Sequence, residues 1–256
     1  MTHEQNSRDQ LNQKPWIMTG QKTQTGEKRR PDISIIIPVL HETALIYETL
    51  EIIEGLNDRR AAEVIVVDGD PGGSTIKGLH GYPLQTLTSP RGRSLQMNAG
   101  ARLALGDMLL FLHADTRLPK NGLRLIRQVL RNPEAFAGAF DLGINSPRPI
   151  FRVIEQMANR RSRITRIPYG DQAIFIRKAV FERLSGYQPF PIMEDIDLMQ
   201  RVKRAGGTIA LINEKVRTSP RRWENEGVIS CTLRNWLLSS AFYLKVPPEK
   251  LKNFYP

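Results

Sequence analysis

Short apolar runs alternate along the chain with stretches in which apolar residues recur at helical spacing. The β-branched run at 33–39 predicts a buried strand, and the apolar spacing after it predicts a helix over 43–56. By the same criteria, further strands are predicted at 63–67, 84–87, 109–112, 135–144, 172–176 and 208–212, and further helices at 94–105, 119–130, 179–184, 194–205 and 228–244. This alternation predicts an α/β fold with a mostly parallel, Rossmann-like sheet flanked by helices, followed by a C-terminal amphipathic helix.

The domain organisation follows from where the periodicity begins. Residues 1–31 are polar and aperiodic, which predicts a disordered basic tail; a basic arm that contacts a membrane or a partner is the alternative. Residues 32–256 are predicted to form a single domain. We expect neither a signal peptide nor a membrane span, because the apolar runs are too short for either. The single cysteine, Cys231, excludes an intramolecular disulfide, and a cytoplasmic location is expected.

The chain carries a net charge of +11, from 37 basic and 26 acidic residues. Such an excess is typical of proteins that bind nucleic acid, an anionic membrane surface or phosphorylated substrates, although a solvated excess of charge is also common. Nucleic-acid binding is not expected, because the arginine-rich stretch 148–166 holds only one aromatic residue, Phe151. For this stretch, a solvated helical face, an anionic acceptor site and contact with lipid headgroups stay open. For the C-terminal helix, core packing, a homodimer surface and peripheral contact with the inner face of a membrane stay open.

The candidate chemistry begins where the strand at 109–112 ends, at His113 and Asp115. Open α/β sheets bind ligands beyond the carboxyl ends of their strands. A carboxylate at that position suits Mg²⁺ or Mn²⁺, which proteins often bind together with substrate phosphates. The sequence therefore predicts a metal site at Asp115. The alternative is that Asp115 caps a helix that begins near Pro119.

Three other positions carry charged groups at the ends of predicted elements. Asp68 and Asp70 lie in a glycine-rich loop after the second strand, where a ligand could approach the backbone; a plain turn is the alternative. Arg93 opens a helix, a favourable site for phosphate, and the alternative is an ordinary surface arginine. Glu194 and Asp195 open another helix, where carboxylates are favoured whether they act chemically or only cap the helix.

Four segments, in chain order, resemble motifs of one enzyme family. Residues 36–42 resemble the Pro-Val-x-Asn-Glu opening of family 2 glycosyltransferases with the GT-A fold, 66–70 their second-strand aspartate, 113–115 their Asp-x-Asp metal motif, and 193–195 their x-Glu-Asp catalytic motif. The resemblance covers about residues 33–222. Segments 92–101, 168–172 and 219–223 are similar to a bacterial subgroup that is labelled radical-SAM-associated or arsenosugar-biosynthesis glycosyltransferase.

The resemblance implies a GT-A nucleotide-diphospho-sugar transferase fold. Its parts would be a nucleotide-binding half at 32–118, an acceptor and catalytic half at 119–226, and a C-terminal helix at 227–256. The implied activity is that of an inverting hexosyltransferase. It would move a sugar from a nucleotide-diphosphate sugar to a hydroxyl of a small or lipid-linked acceptor, assisted by Mn²⁺ or Mg²⁺.

The resemblance also implies residue roles. Asp195 would be the general base with Glu194 beside it, and Asp115 and His113 would hold the metal. Nucleotide-sugar binding is implied for Pro38, Val39, Glu42, Asp68, Asp70, Arg93, Asn98 and Ala114, and acceptor or pyrophosphate binding for Gly170, Asp171, Gln172, Arg221, Arg222 and Trp223.

Some of these roles keep alternatives. His113 replaces the first aspartate of the metal motif, and imidazole suits Mn²⁺ better than Mg²⁺; it could instead contact a phosphate or pack. Trp223 would stack on a sugar or pack in the core, and Asp197 is expected to be solvated. For the whole protein, the alternatives are a glycosyltransferase-like binding protein without catalysis and a basic nucleic-acid-binding protein.

Overall fold

Strand β1 (Ile33–Val39) is buried along its whole length and lies inside the sheet, between β2 and β4. The computed structural model describes residues 30–255. The other strands are β2 (Ala62–Asp68), β3 (Gln85–Thr88), β4 (Met108–Phe111), β5 (Thr116–Arg117), β6 (Ala135–Ile144), β7 (Phe175–Arg177) and β8 (Thr208–Thr218). The helices are α1 (Thr43–Glu54), α2 (Arg93–Leu103), α3 (Gly122–Leu130), α4 (Pro149–Thr165), α5 (Lys178–Arg183), α6 (Glu194–Arg204), α7 (Arg221–Glu226), α8 (Val228–Tyr243) and α9 (Pro248–Lys252).

Within the described residues, the eight strands form one sheet in the order β3-β2-β1-β4-β7-β6-β8-β5. Strands β3, β2, β1 and β4 are parallel to one another, and β6 is parallel to β8. Strand β7 is antiparallel to both of its neighbours, and the short β5 is antiparallel to β8. The predicted mostly parallel sheet flanked by helices is therefore confirmed.

The two faces of the sheet carry separate apolar clusters, because alternate residues of a strand point to opposite faces. One cluster joins Ile35 and Ile37 of β1 to helices α1 and α3, and the other joins Ile36 to α2, α5 and α6. Gly100 allows α2 to lie close to the sheet, since a Cβ at this position would be 2.5 Å from Ile36 Cγ2. Helix α2 is thereby held over the ends of β1 and β2.

Several boundaries differ from those predicted. Helix α3 begins at Gly122, so Pro119 precedes it in a turn closed by the Gly122 N–H donating to the Pro119 carbonyl (2.8 Å). The strand predicted at 172–176 is wrong in part: 170–172 form a 3₁₀ turn, and β7 covers only Phe175–Arg177. Strand β8 extends to Thr218, beyond the predicted 212. Strand β5 and helices α7 and α9 were not predicted.

The chain ends were predicted to hold a disordered tail and an amphipathic helix. Residues 1–29 of that tail lie outside the described residues; Arg30 is described, and its side chain donates to the Leu105 carbonyl (2.9 Å). The amphipathic helix is present as α8, in which Cys231 and Leu238 are buried while Leu237 is exposed. Between residues 30 and 255, no helix is long and apolar enough to cross a membrane.

Candidate active site

The carboxyl ends of β1, β2 and β4 are adjacent in the sheet, so the loops that follow them meet at one edge. Gln96 of α2 ties two of these ends together, because its side-chain amide donates to the carbonyls of Val39 (2.8 Å) and Val67 (2.9 Å). Gln96 was not among the predicted site residues, although it lies in a segment that carries the resemblance. Its role is to position the loops.

The loop after β2 is built around two carboxylates. Asp68 is fully buried, and its oxygens accept hydrogen bonds from the backbone N–H groups of Asp70 (2.9 Å), Thr75 (2.8 Å) and Ile76 (3.3 Å). Asp70 accepts hydrogen bonds from the backbone N–H groups of Gly72 and Ser74. Its pKa is lowered most by the hydrogen bond from the Ser74 hydroxyl and further by these two backbone N–H groups. The structure therefore places the Asp68 carboxylate within the loop that it shapes, and leaves Asp70 nearer the surface.

Other predicted donor-binding residues contribute their backbone to the fold. Pro38, Val39 and Ala114 are buried; the Val39 carbonyl accepts from Gln96, and the Ala114 carbonyl accepts from the Thr49 hydroxyl (2.5 Å). Asn98 both donates to and accepts from the backbone of Tyr187 (2.8 and 2.9 Å). Its amide is committed to holding the segment before α6, so the structure gives Asn98 a positioning role.

Helix α6 begins with the two carboxylates that the sequence singled out. Glu194 is buried, with its Oε1 3.7 Å from Nη1 of Arg93, whose side chain is about half exposed (49 %). Burial raises the pKa of Glu194 to about 7, against the opposing effect of Arg93. Asp195 is partly buried, and its Oδ2 accepts a hydrogen bond from the Gly170 N–H at 2.6 Å.

Gly170 brings His113 and Asp195 together. A Cβ at Gly170 would lie 3.1 Å from His113 Nε2 and 3.4 Å from Asp195 Oδ2, so both side chains border the same small space. Burial lowers the pKa of His113 to about 3, and Arg93 adds to this effect. The imidazole is therefore neutral at pH 7, with one ring nitrogen free of a proton.

Asp115 lies two residues beyond His113, among other carboxylates. Burial, and then the nearby Asp115, raises the pKa of Glu42, whose Oε1 is 3.6 Å from Nη2 of Arg221. Burial also raises the pKa of Asp171 to about 6; Arg161 opposes this effect, while Asp195 and Asp115 add to it. The cleft thus combines carboxylates from four segments with arginines from α2, α4 and α7.

The donor set of this cleft fits a divalent cation. Between residues 30 and 255, no three His, Cys, Asp or Glu side chains are grouped as a complete metal site. However, Mg²⁺ and Mn²⁺ are commonly held by one or two protein ligands together with substrate phosphates and water. The Asp115 carboxylate and the neutral His113 imidazole are groups of that kind.

The acceptor residues predicted at 170–172 separate into two kinds. Gly170 and Asp171 border the cleft, whereas Gln172 is fully buried, accepts from the Ser162 hydroxyl (2.7 Å) and donates to the Phe140 carbonyl (3.0 Å). Arg161 of α4 stacks on the Tyr169 ring at 3.2 Å from its centroid, and its buried Nε has no hydrogen-bond partner.

Tyr243, at the end of α8, completes this side of the cleft. Burial raises its pKa to about 12, with further contributions from Tyr169 and Asp195 nearby. Arg161 belongs to the arginine-rich stretch that the sequence left open, and no sequence signal pointed to Tyr243.

The three side chains of the predicted basic-aromatic element at 221–223 point in different directions, because these residues lie in a helix. Arg221 faces Glu42 in the cleft. Arg222 donates to the Tyr255 hydroxyl and lies over that ring (4.2 Å to the centroid), while Trp223 packs edge-to-face on Phe151 (centroids 6.0 Å apart). Successive residues of a helix point about 100° apart, so the three side chains do not face one ligand. For Trp223, the structure therefore agrees with the alternative that its side chain packs in the core.

Comparison with known sequences decides the family. The sequence model described as glycosyl transferase family 2 matches residues 34–184, more than half of the chain. The chain belongs to glycosyl transferase family 2. This region contains β1 to β7 and the loops that carry Asp68, Asp115 and Gly170. A search of curated protein sequences finds no match.

Solved structures show that this family 2 chain has the GT-A type fold. The mannosyltransferase PcManGT from Pyrobaculum calidifontis, in complex with GDP-Man and Mn²⁺, superposes with a TM-score of 0.58 at 20% identity, covering 80% of this chain and 60% of that one. Residues 1–349 of S. aureus TarS superpose with a TM-score of 0.58 at 17% identity (74% and 61% covered), and the same fragment with UDP-GlcNAc gives 0.56 at 15% (73% and 58%). The chain thus spans about three fifths of the length of these structures.

Proposed function

We propose that this family 2 protein transfers a hexose from a nucleotide-diphosphate sugar to an acceptor hydroxyl, with inversion and with Asp195 as the general base. The observation that carries the proposal is the position of the Asp195 carboxylate. It is fixed by the Gly170 N–H at 2.6 Å and borders the same space as His113, two residues before Asp115. The proposed base and the proposed metal ligand His113 thus border the same small space.

The proposed reaction is a single displacement. Asp195 takes the proton of the acceptor hydroxyl, and the acceptor oxygen forms a bond to the anomeric carbon as the bond from that carbon to the nucleoside diphosphate breaks. A single displacement of this kind inverts the anomeric centre. General bases typically accelerate such a step by about 10²–10⁴-fold.

Negative charge develops on the departing diphosphate. Asp115, with His113, would hold a divalent cation that offsets this charge. Arg93 and Arg221, which pair with Glu194 and Glu42, add positive charge at the same edge of the sheet. The similar structures contain GDP-Man with Mn²⁺, and UDP-GlcNAc, which supports a nucleotide-sugar donor for this chain. A cytoplasmic location is part of the proposal.

The proposal is tested by thermal unfolding with a panel of nucleotide sugars and nucleoside diphosphates, with and without Mn²⁺ or Mg²⁺. A ligand that binds only the folded state raises the melting temperature. We expect one nucleotide family to raise it, and the metal to enlarge the rise. Asp115→Asn should lose the metal-dependent part and keep the remainder. If no nucleotide changes the melting temperature, the donor site is refuted, and titration with nucleic acid becomes the next experiment.

The role of the base is tested by Asp195→Asn in the same assay and in turnover. The asparagine oxygen can still accept from the Gly170 N–H, so the nucleotide-induced rise should remain while release of nucleoside diphosphate falls about 10²–10⁴-fold. Asp197→Asn is the control. The prediction that Asp197 is solvated was wrong, because it forms a largely buried ion pair with Arg201 (2.7 Å). Two residues along the helix, its side chain points away from that of Asp195. Full turnover in Asp195→Asn would refute Asp195 as the base.

A further inference from the structure

The exposed large apolar side chains of the described residues are concentrated in two helices and the segment after them. They belong to α4, to α8 and to the residues that follow α8, with the sole exception of Leu105. Exposed apolar side chains that occur singly are ordinary on a protein surface, whereas contiguous groups mark interaction sites. The question is which partner this group fits.

Helix α4 is divided sharply between a buried and an exposed face. The buried face holds Phe151, Glu155, Asn159 and Ser162 and lies against β6. There the Asn159 side chain accepts a hydrogen bond from the Leu142 N–H (2.7 Å) and donates one to the Leu142 carbonyl (3.0 Å). The exposed stripe consists of Ile150, Val153, Met157 and Ile164, the last of which is 72% exposed. Their spacing of three, four and seven residues places them on one side of the helix, opposite β6.

Helix α8 has the same construction. Its buried side chains, such as Leu238, pack with Ile192 and Leu251. Its exposed stripe consists of Ile229, Leu233, Trp236 and Leu237, and Leu244 directly after the helix continues it. Ile229, Leu237 and Leu244 are each 70–80% exposed. Contact of large aliphatic side chains with water has an unfavourable free energy, which is relieved when their surface is buried.

The two helices are neighbours at both ends. Val228, the first residue of α8, packs into the cluster that contains Phe151 and Ile154 of α4. Tyr243, the last residue of α8, interacts with Tyr169, on which Arg161 of α4 stacks. Helix α8 therefore approaches α4 directly at its first residue and, through Tyr169, at its last.

The surface near these stripes carries an excess of positive charge, most of it on α4. The α4 region carries six arginines (Arg148, Arg152, Arg160, Arg161, Arg163 and Arg166). Its only carboxylate, Glu155, is buried and paired with Arg152 and Lys215, and Arg163 pairs with Asp141 of β6. Around the end of α8, Lys245 and Lys250 are exposed, as is Glu249. A second copy of the chain would oppose like charges across such a face. An anionic lipid surface would complement them.

We propose that the exposed stripes of α4 and α8 form an interfacial surface that binds a membrane rich in anionic phospholipids. Apolar side chains would enter the boundary between headgroups and acyl chains, Trp236 and Tyr243 would lie at the level of the headgroups, and the arginines and lysines would contact lipid phosphates. The helices lie in the plane of the surface and do not cross it.

The surface is connected to the candidate active site. Phe242, next to Tyr243, packs on Phe190 (centroids 6.4 Å apart), four residues before α6 begins with Glu194. Tyr243 lies close enough to Asp195 for the carboxylate to raise the pKa of the tyrosine. A chain bound through α8 would therefore hold the acceptor side of the cleft at the membrane. Membrane binding itself does not depend on glycosyl transfer, so the two proposals can fail separately.

The test is sedimentation of the full chain with vesicles, without donor or acceptor. Vesicles of equal parts phosphatidylglycerol and phosphatidylcholine should bind the protein at least about tenfold more tightly than vesicles of phosphatidylcholine alone. The doubly substituted chain Ile164→Gln/Leu237→Gln should lose at least about tenfold in affinity. Leu105→Gln is the control, because Leu105 is also an exposed aliphatic residue (54%) but lies after α2, away from both stripes; vesicle binding of this variant should be unchanged.

Charge is tested separately. Arg160→Gln should weaken binding to anionic vesicles about fivefold, while Arg124→Gln, an exposed arginine on α3, should not. Circular dichroism confirms that each variant is folded. Absence of binding to anionic vesicles would overturn the proposal, as would equal losses in Leu105→Gln and Ile164→Gln/Leu237→Gln. A dimer that binds no vesicles and dissociates when Ile164 and Leu237 are replaced would assign the surface to a second copy.

Discussion

At the scale of single residues, Glu194 and Asp195 show how neighbours in sequence acquire different chemistry. Asp195 is partly exposed and hydrogen-bonded by the Gly170 N–H, as a base that meets an acceptor requires. Glu194 is buried, and burial raises its pKa to about 7 although Arg93 lies 3.7 Å away. A substantial fraction of Glu194 is therefore protonated at neutral pH, which argues for an orienting role rather than a fixed negative charge.

This difference predicts a pH-dependent effect of Glu194→Gln. The pKa of Glu194 is about 7 in the folded state against 4.5 in the unfolded chain, so folding takes up a proton between these values and the free energy of unfolding falls as the pH rises through this window. Glutamine does not titrate. Relative to the wild type, the variant should be about equally stable at pH 4 and about 1–3 kcal/mol more stable at pH 8.

Urea unfolding at the two pH values measures the effect. Glu214→Gln, on an exposed part of β8, serves as the control and should show no such difference. An advantage of Glu194→Gln that is the same at both pH values would show that packing, and not ionisation, causes it.

At the scale of elements, the sequence predicts those helices and strands whose bounds are set by the local pattern of apolar residues. Strands β1 and β6 have the bounds that their apolar runs predicted. The strand predicted at 172–176 fails because Ala173 adopts a left-handed conformation (φ 51°), which an apolar run does not reveal. Strand β5 has two residues and exists only through its pairing with β8, a hundred residues later.

The same limit applies to the candidate site. Asn98 and Trp223 fit the family motifs, but the structure uses their side chains to hold Tyr187 and to cover Phe151. Tyr243 reaches the cleft only because the end of α8 lies near Tyr169 and Asp195. Such roles depend on contacts between distant segments, and periodicity carries no information about them.

The close packing of α2 on the sheet gives a prediction for this element. A Cβ at Gly100 would lie 2.5 Å from Ile36 Cγ2 and 3.1 Å from Val67 Cγ2, both within the buried sheet. Overpacking costs about 1–3 kcal/mol, which should exceed the gain of about 1 kcal/mol from the higher helix propensity of alanine. Gly100→Ala should therefore lower the free energy of unfolding by up to about 2 kcal/mol.

Gly55→Ala is the control for Gly100→Ala, because an added methyl group at position 55 meets no residue of the sheet. Gly55 ends α1 with φ near −82°, and the nearest atoms to an added Cβ are carbonyl oxygens of its own helix at 3.5 Å and beyond. Its stability should change by less than about 0.5 kcal/mol. Equal effects of the two substitutions in urea unfolding would mean that the sheet yields to the added methyl group.

At the scale of the whole molecule, the nucleotide-binding half predicted at 32–118 and the acceptor half predicted at 119–226 share one sheet. Strand β4 of the first half pairs with β7 of the second, and β5 of the first pairs with β8 of the second. The C-terminal segment returns to the same body, where Leu251 packs with Ile192 before α6. The backbone hydrogen bonds of both halves are therefore interdependent, which supports a single domain over 32–256.

A shared sheet predicts that the chain unfolds in one cooperative step. Separating the halves would expose the unpaired edges of β4 and β8 and open both apolar clusters, so an intermediate with one folded half should not accumulate. In calorimetry we expect a single transition whose calorimetric and van't Hoff enthalpies agree. A bound nucleotide sugar should move the whole transition to higher temperature. Two transitions, of which the nucleotide moves only one, would mean instead that the halves fold independently and that the β4–β7 pairing contributes little to stability.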